Sequence, residues 1–361
     1  MPIPFVTNER ELAGASITSE AEAGVSWARF CERGLLLSFR TGSATVLLGV
    51  ALAAPSCVLG QSDPGNGCPV PGADRGIRPG NAGGAPRPQG PPNEAQTPGG
   101  PPKKHLLIWA DTRNGLAQHD IGHAIAVIEE LGYKSGAYDT WIRTDSNIIA
   151  KRPKMTNGEP ASGGPSLCNV DAIFFMGHRE IELDPQQKAD LLWFVHDAGK
   201  GFVAAHVGDT AFLSWPEFGD MLGGRFDQHP WGTVEGSVIV TDTKFPGMSQ
   251  FGESFTIRDE FYQSSGFSPD KSHILMRLDT TKLDNAKARG MKAADYPYAL
   301  AWAKTYGKGH VFYATFAHAP STWDNPRIQE MYLQAIRWSL GQVDADVAPL
   351  AVPPPAPGAL P

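Results

Sequence analysis

The sequence predicts an α/β fold built on a mostly parallel sheet with helices on both faces. Two observations carry that reading. Short runs such as Val170–Met176 and Gly201–His206 are, apart from Asp171 and the terminal His206, continuously apolar rather than alternating, as strands covered on both faces are. Segments of helical period separate them, giving a strand–helix–strand rhythm.

In chain order, Arg29, Arg33 and Arg40 precede an apolar run, Ala44 to Ala54, and small residues follow to Val58-Leu59-Gly60-Gln61. A basic flank, a short apolar run and a small-residue exit are the marks of an export signal. Residues 1–60 are therefore expected to be an N-terminal extension with a signal-peptide-like segment, cleaved near Gly60-Gln61. The protein would then be periplasmic or extracellular. The run is shorter than the ~20 apolar residues of a membrane-spanning helix, so no transmembrane span is expected in the mature chain. A lipoprotein anchor on Cys57 is the weaker alternative, because no Leu stands three residues before it.

Residues 61–102 are half Gly plus Pro (21 of 42). They carry too little apolar surface to offset ordering entropy and read as a disordered linker. Residues 103–341 have globular composition and form the expected domain. The Pro/Ala-rich tail, 342–361, reads as loose.

Within the domain, His105–Ala110 reads as the first strand. Ile121, Ala124, Ile125, Ile128 and Leu131 then recur at helical spacing, with a stop at Gly132. The stretch 133–167 has no clear pattern. Val170–Met176 is a second buried strand. Asp184 then caps a helix with Pro185 at its first position, running to Gly199. Gly201–His206 is the next strand. After Gly224 the texture changes: Val234–Thr241 and Ile274–Leu278 read as strands, and 298–304 with 310–314 as a hairpin. The final helix spans Pro326–Leu340.

The formal charge is -7, and no Lys/Arg cluster interleaves with aromatics in the domain, so nucleic-acid binding is not expected. Of the four cysteines only Cys168 lies inside the domain, and neither a disulfide framework nor a Cys-x-x-Cys metal signature is implied. Gly-x-Gly-x-x-Gly does not follow the first strand, and Gly-x-Ser-x-Gly is absent.

The histidines carry the chemical signal. His206 ends a buried strand, where open α/β sheets bind ligands. His119 opens the first helix, His229 follows Gly223–Gln228, and His318 follows the last strand of the hairpin. Asp209, Asp259 and Glu260 stand beside these segments. Imidazoles and carboxylates gathered at one sheet edge suit a metal site or acid/base chemistry. Each also has a plain structural role open to it: His206 as a satisfied buried residue, His229 in a turn, Asp209 as a cap, Asp259 and Glu260 as surface acids. His105, His123, His178, His196, His273 and His310 read as packing or solvent residues. Trp215, Trp231, Tyr262 and Trp323 crowd the same loops and offer flat faces to sugar rings.

At these residues the chain resembles a known family. Gly201–His206, Ser214-Trp215-Pro216, Leu222–Pro230, Asp259–Tyr262, Tyr306–Tyr313 and Phe316–His318, in that order, are similar to the ThuA-like (trehalose utilisation) domain. The resemblance spans about Lys103 to Gly341. It implies a flavodoxin-like three-layer sandwich of the class I glutamine amidotransferase-like superfamily. His206 stands where true amidotransferases carry Cys, so glutaminase chemistry is not expected. The family is linked to carbohydrate catabolism, and similar proteins can carry a metal.

The expected function is therefore action on a sugar, keto-sugar or glycoside, as an isomerase or hydrolase, through histidine-based metal or acid/base chemistry. His206, His119, Glu260 and Asp209 are the expected catalytic set. Trp215, Tyr262 and Asp259 are expected to bind substrate, and His206, His229 and His318 to hold a divalent metal such as zinc. A non-catalytic sugar-binding or scaffolding module is the alternative. The expected partner is a small carbohydrate, and the sequence allows a homo-oligomer.

Overall fold

The computed structural model describes residues 67–68, 103–113, 119–161, 163–292 and 298–350. The signal-like segment and nearly all of the linker lie outside the described residues.

The first strand, β1 (Lys104–Trp109), pairs in parallel with β2 (Tyr138–Arg143) on one side and β3 (Ala172–Phe175) on the other. Beyond β3 come β4 (Gly201–Ala205) and β11 (Gly309–Ala314), both parallel to it. From β11 outward the sheet turns antiparallel through β10 (Ala299–Tyr306), β9 (His273–Leu278), β6 (Thr233–Val240) and β7 (Ser254–Glu260). The order is β2-β1-β3-β4-β11-β10-β9-β6-β7. A separate two-stranded ribbon pairs β5 (Arg225–Gln228) with β8 (Gln263–Ser265). The parallel half is as expected; the antiparallel half makes the whole sheet mixed.

Helices cover both faces. On one, α1 (Ile121–Ser135) and α5 (Pro326–Ser339) bury Ala124, Ile128, Ile328, Met331 and Tyr332 against the even residues of β1 and β3, such as Leu106 and Phe174. On the other, α2 (Pro185–His196) and α3 (Pro216–Leu222) bury Leu191, Phe194, Phe218 and Met221 against Leu107, Ile173 and Phe202. Side chains of successive strand residues point to opposite faces, so continuous apolar runs feed both layers.

Local signals set the helix ends. The Asp120 carboxylate accepts from the His123 amide (3.0 Å), and Gly136 ends α1 at φ 66°. The helix thus runs one turn past the expected stop at Gly132. A capping box between Asp184 and Gln187, with Pro185 behind it, starts α2. A short helix, α4 (Pro320–Trp323), leads into α5, whose Asn325 cap accepts from the Arg327 amide (3.0 Å).

Three findings differ from the sequence reading. Cys68 and Cys168 form a disulfide across 100 residues of chain (Cα–Cα 5.6 Å), where no bridge was expected. The partner lies in the Gly/Pro-rich segment, which composition had set apart from the domain. Residues 342–350, expected to be loose, lie along the domain: the Gln342 amide donates to the Ala137 carbonyl (2.6 Å), and His273 Nδ1 to the Ala348 carbonyl (2.6 Å). Strand β2 emerges from the stretch with no clear pattern because only its first residue is buried. No helix among the described residues is long and apolar enough to cross a membrane.

Candidate metal and acid/base site

The chain passes from β1 to β2 on one flank and then to β3 on the other. The topological switch therefore lies between β1 and β3, where such sheets bind ligands. His119 follows β1, His178 follows β3, His206 follows β4 and His318 follows β11, all beyond the carboxyl ends of parallel strands.

His206 is fully buried and adopts φ 42° directly after β4. A left-handed residue other than Gly is strained, and such strain gathers at functional sites. The turn closes because Gly208 packs where a Cβ would lie 3.0 Å from Ala204 Cβ and 3.3 Å from the Phe175 carbonyl. The Nδ1–H of His206 donates to the Thr315 carbonyl (2.6 Å). A carbonyl only accepts, so the proton is assigned to Nδ1 and the lone pair to Nε2. This backbone anchoring is how metal-ligating imidazoles are commonly oriented.

His318 stands 3.2 Å away, Nδ1 to His206 Nε2. Its loop, with Ala317 at φ 99°, is held by Asp259, whose carboxylate accepts from the amides of Ala317 (3.1 Å) and His318 (3.0 Å) and from its neighbour Glu260 (2.8 Å). Asp259 is wholly buried. Burial pushes its carboxyl up despite these backbone donors. It fixes the loop and is not itself exposed to a ligand.

His119, at φ 72°, faces both: its ring centre lies 4.8 Å from that of His206 and 4.7 Å from that of His318, edge-to-face. Its Nδ1 is buried with no hydrogen-bond partner among the described residues. One ligand atom from each of His119, His206 and His318 lies within 4.8 Å of the other two. A tetrahedral ion with ~2.05 Å bonds sets its ligand nitrogens ~3.3 Å apart, which the His206–His318 pair matches. Imidazole nitrogens, one of them orphaned and buried, at this spacing fit a divalent cation such as zinc.

His229 takes a different place from the one expected. Its side chain is half-exposed after β5, and its Nδ1 pairs with Glu260 Oε1 at 3.5 Å. His119, expected to be catalytic, is the third member of the trio that could hold an ion. Glu260 links the two groups: its Oε2 lies 3.2 Å from His318 Nδ1 and 3.7 Å from His206 Nε2. The Tyr262 hydroxyl reaches His206 Nε2 at 3.0 Å, and its ring stacks on the His206 imidazole (4.4 Å, 25°).

The charges follow from burial and these neighbours. Desolvation, with the nearby imidazoles, pushes His206 down to about 3 and His119 down to about 4. Both are neutral at pH 7, as metal ligands must be. Burial works against the Glu260 carboxylate, but the His318 hydrogen bond, with the imidazoles around it, wins, holding it down at about 2. His318 is raised by its hydrogen bond to Glu260.

Asp209 lies beneath the site, fully buried, with Ser264 Oγ 3.4 Å from its Oδ2 and its Oδ1 without a partner among the described residues. Burial pushes its carboxyl well up. Tyr313, whose hydroxyl donates to the His206 carbonyl (2.9 Å), connects this layer to the turn. Trp215 is not brought to the histidines. It is 6 % exposed and packs with Phe212 and Phe218 at the start of α3, because those loop aromatics complete the core between α3 and the sheet. His178, read from sequence as packing, lies with its ring centre 5.7 Å from that of His119. Its place two residues past a buried strand was the available signal. A cavity of about 640 Å³ elsewhere is lined by Lys151, Arg152, Asp184 and Asp190, without the site histidines.

Fold and site together define an α/β domain with a histidine cluster at the carboxyl edge of its sheet. The family model "ThuA: Trehalose utilisation" matches residues 105–339, and the chain belongs to that family. Comparison with curated proteins gave no match. Among solved structures, a ThuA-like protein from Bacteroides uniformis is similar at 16% identity and TM-score 0.51, over 69% of this chain and 95% of its own. One from Parabacteroides merdae shows 17% identity and TM-score 0.49, over 67% and 91%. At such identities the likeness speaks to the fold alone.

Proposed function

We propose that the protein is an exported, metal-assisted enzyme acting on a keto-sugar or keto-glycoside. The observation that carries this is the convergence of His119, His206 and His318 beside Glu260, with an orphaned buried imidazole nitrogen in the trio. A divalent cation held there would supply Lewis-acid polarisation of a substrate carbonyl or hydroxyl oxygen. The remaining work falls to the chain. Glu260, held at about 2, is too weak a base for neutral pH and serves to orient. Its Oε1 faces His229 Nδ1, which directs the other ring nitrogen of that half-exposed residue outward as the acid/base group, as carboxylate–imidazole pairs do elsewhere. His229 would take a proton adjacent to the substrate carbonyl and return it to the neighbouring atom or leaving oxygen. The Cys68–Cys168 disulfide supports export, since such bridges persist mainly in oxidising compartments.

The test is solvent deuterium exchange at the carbon beside the carbonyl of a keto-glucoside, followed by proton NMR. Exchange is expected with zinc-loaded protein and is expected to vanish in His229→Ala and His206→Ala variants. Unchanged exchange in both variants would remove the assignment.

A further inference from the structure

Resting on the metal-site reading above, we propose that Glu260 is itself a ligand of the ion: its Oε2 completes a coordinating face with His206 Nε2 and His318 Nδ1, while its Oε1 keeps His229.

Three distances define that face. His206 Nε2 and His318 Nδ1 are 3.2 Å apart. Glu260 Oε2 is 3.2 Å from His318 Nδ1 and 3.7 Å from His206 Nε2. The three atoms make a nearly equilateral triangle. A tetrahedral ion with ~2.05 Å bonds sets its donors ~3.3 Å apart along every edge, and zinc accepts carboxylate oxygen as readily as imidazole nitrogen. The ligand atoms of the histidine trio, by comparison, are held only within 4.8 Å of one another. His119 then stands as the outer donor beside a tighter face.

Valence points the same way. The Nδ1–H of His206 is committed to the Thr315 carbonyl (2.6 Å), so Nε2 presents only a lone pair. A carboxylate oxygen also only accepts. Two acceptors therefore face each other across His318 Nδ1. A single N–H there aligns well with one of them, whereas a cation over the triangle serves all three atoms. Tyr262 does not fill this role. Its hydroxyl comes within 3.0 Å of Nε2, but its ring lies over the imidazole rather than in its plane, and the hydroxyl hydrogen-bonds the Glu260 carboxylate.

The backbone holds Glu260 for this position. It ends β7 and is 9 % exposed. Its amide donates to Asp259 Oδ1 (2.8 Å), part of the carboxylate that also fastens the His318 loop. One buried acid thus sets two of the three donors. The second oxygen of Glu260 remains with His229 Nδ1 at 3.5 Å. A carboxylate on the ion through Oε2 and on His229 through Oε1 keeps the acid/base imidazole one carboxylate away from the cation. That spacing suits a substrate whose acidic C–H is adjacent to its polarised oxygen, as in a keto-sugar.

Anomalous diffraction at the zinc edge, from crystals of zinc-loaded protein, tests the assignment. The expected peak lies within about 2.2 Å of Glu260 Oε2, His206 Nε2 and His318 Nδ1. A peak on the histidines with Oε2 more than about 3 Å away would overturn the ligand role and leave the metal site standing. In solution, chelator competition with wild-type, Glu260→Gln and His206→Ala proteins gives a second measure, with melting curves in chelator to check folding. Glu260→Gln is expected to lose about 100-fold or more in zinc affinity, beyond the 10- to 100-fold that an orienting partner is worth. A smaller loss, with His206→Ala binding far more weakly, also counts against the ligand role alone. Should Glu260→Gln not fold, the diffraction peak decides. If no peak appears and wild type and His206→Ala bind zinc alike, the metal reading falls and this inference with it.

Discussion

Buried neutral imidazoles make the domain acid-sensitive, and His206 shows how. Its folded pKa is pushed down to about 3, against 6.5 when exposed. The sign is fixed by linkage: between those values the unfolded chain binds a proton that the folded chain refuses, so stability falls as pH falls through 6.5 towards 3. At pH 5 the unfolded imidazole has gained about 1.5 pH units' worth of protonation, or about 2 kcal/mol. His119, lowered to about 4, acts in the same direction. His318 opposes them: its raised pKa means the folded state gains stability as pH falls through that value. Glu260 contributes above 4.5 and loses its contribution only as pH falls from there towards 2. The clean comparison is therefore wild type against His206→Gln, whose amide can still donate to the Thr315 carbonyl. Urea unfolding in chelator at pH 7 and pH 5 should show wild type losing about 2 kcal/mol more than the variant over that interval. Equal losses would refute the claim that His206 is held neutral by burial.

Other outcomes follow from the same geometry. Asp259→Asn should loosen the His318 loop and lower zinc affinity by roughly 10- to 100-fold, measured by chelator competition, because partners that orient ligands matter nearly as much as the ligands. Cys168→Ser should lower stability by about 2–4 kcal/mol, and reductant should lower the wild-type melting temperature but not that of the variant. Gly208→Val should destabilise the His206 turn by at least about 1 kcal/mol in urea melts, since a Cβ there already meets Ala204 and the Phe175 carbonyl closely.

Much of the parallel half was legible in the sequence because its strands are buried on both faces and so read as unbroken apolar runs. The ribbon strands β5 and β8 were not: Arg225–Gln228 is only partly buried, so hydrophobicity leaves no trace of it. The same limit explains β2. Trp215 was misplaced because an aromatic beside a functional loop and an aromatic in the core look alike in one dimension; here the core claims it.

By itself the sequence determined which segments become strands and helices, and that polar residues stand at strand ends, since burial pattern and capping chemistry are local. It also marked His206, His119, His318 and Glu260 as chemically unusual. The tertiary structure decided how these residues are partnered. Residues 112 apart in the chain lie 3.2 Å apart because β4 and β11 are neighbours in the sheet. Likewise Asp259, expected at the substrate, became the clamp of the His318 loop, and His229 was paired with Glu260 rather than with the other histidines. Strand adjacency brings distant residues together, and no local pattern encodes which strands will be adjacent.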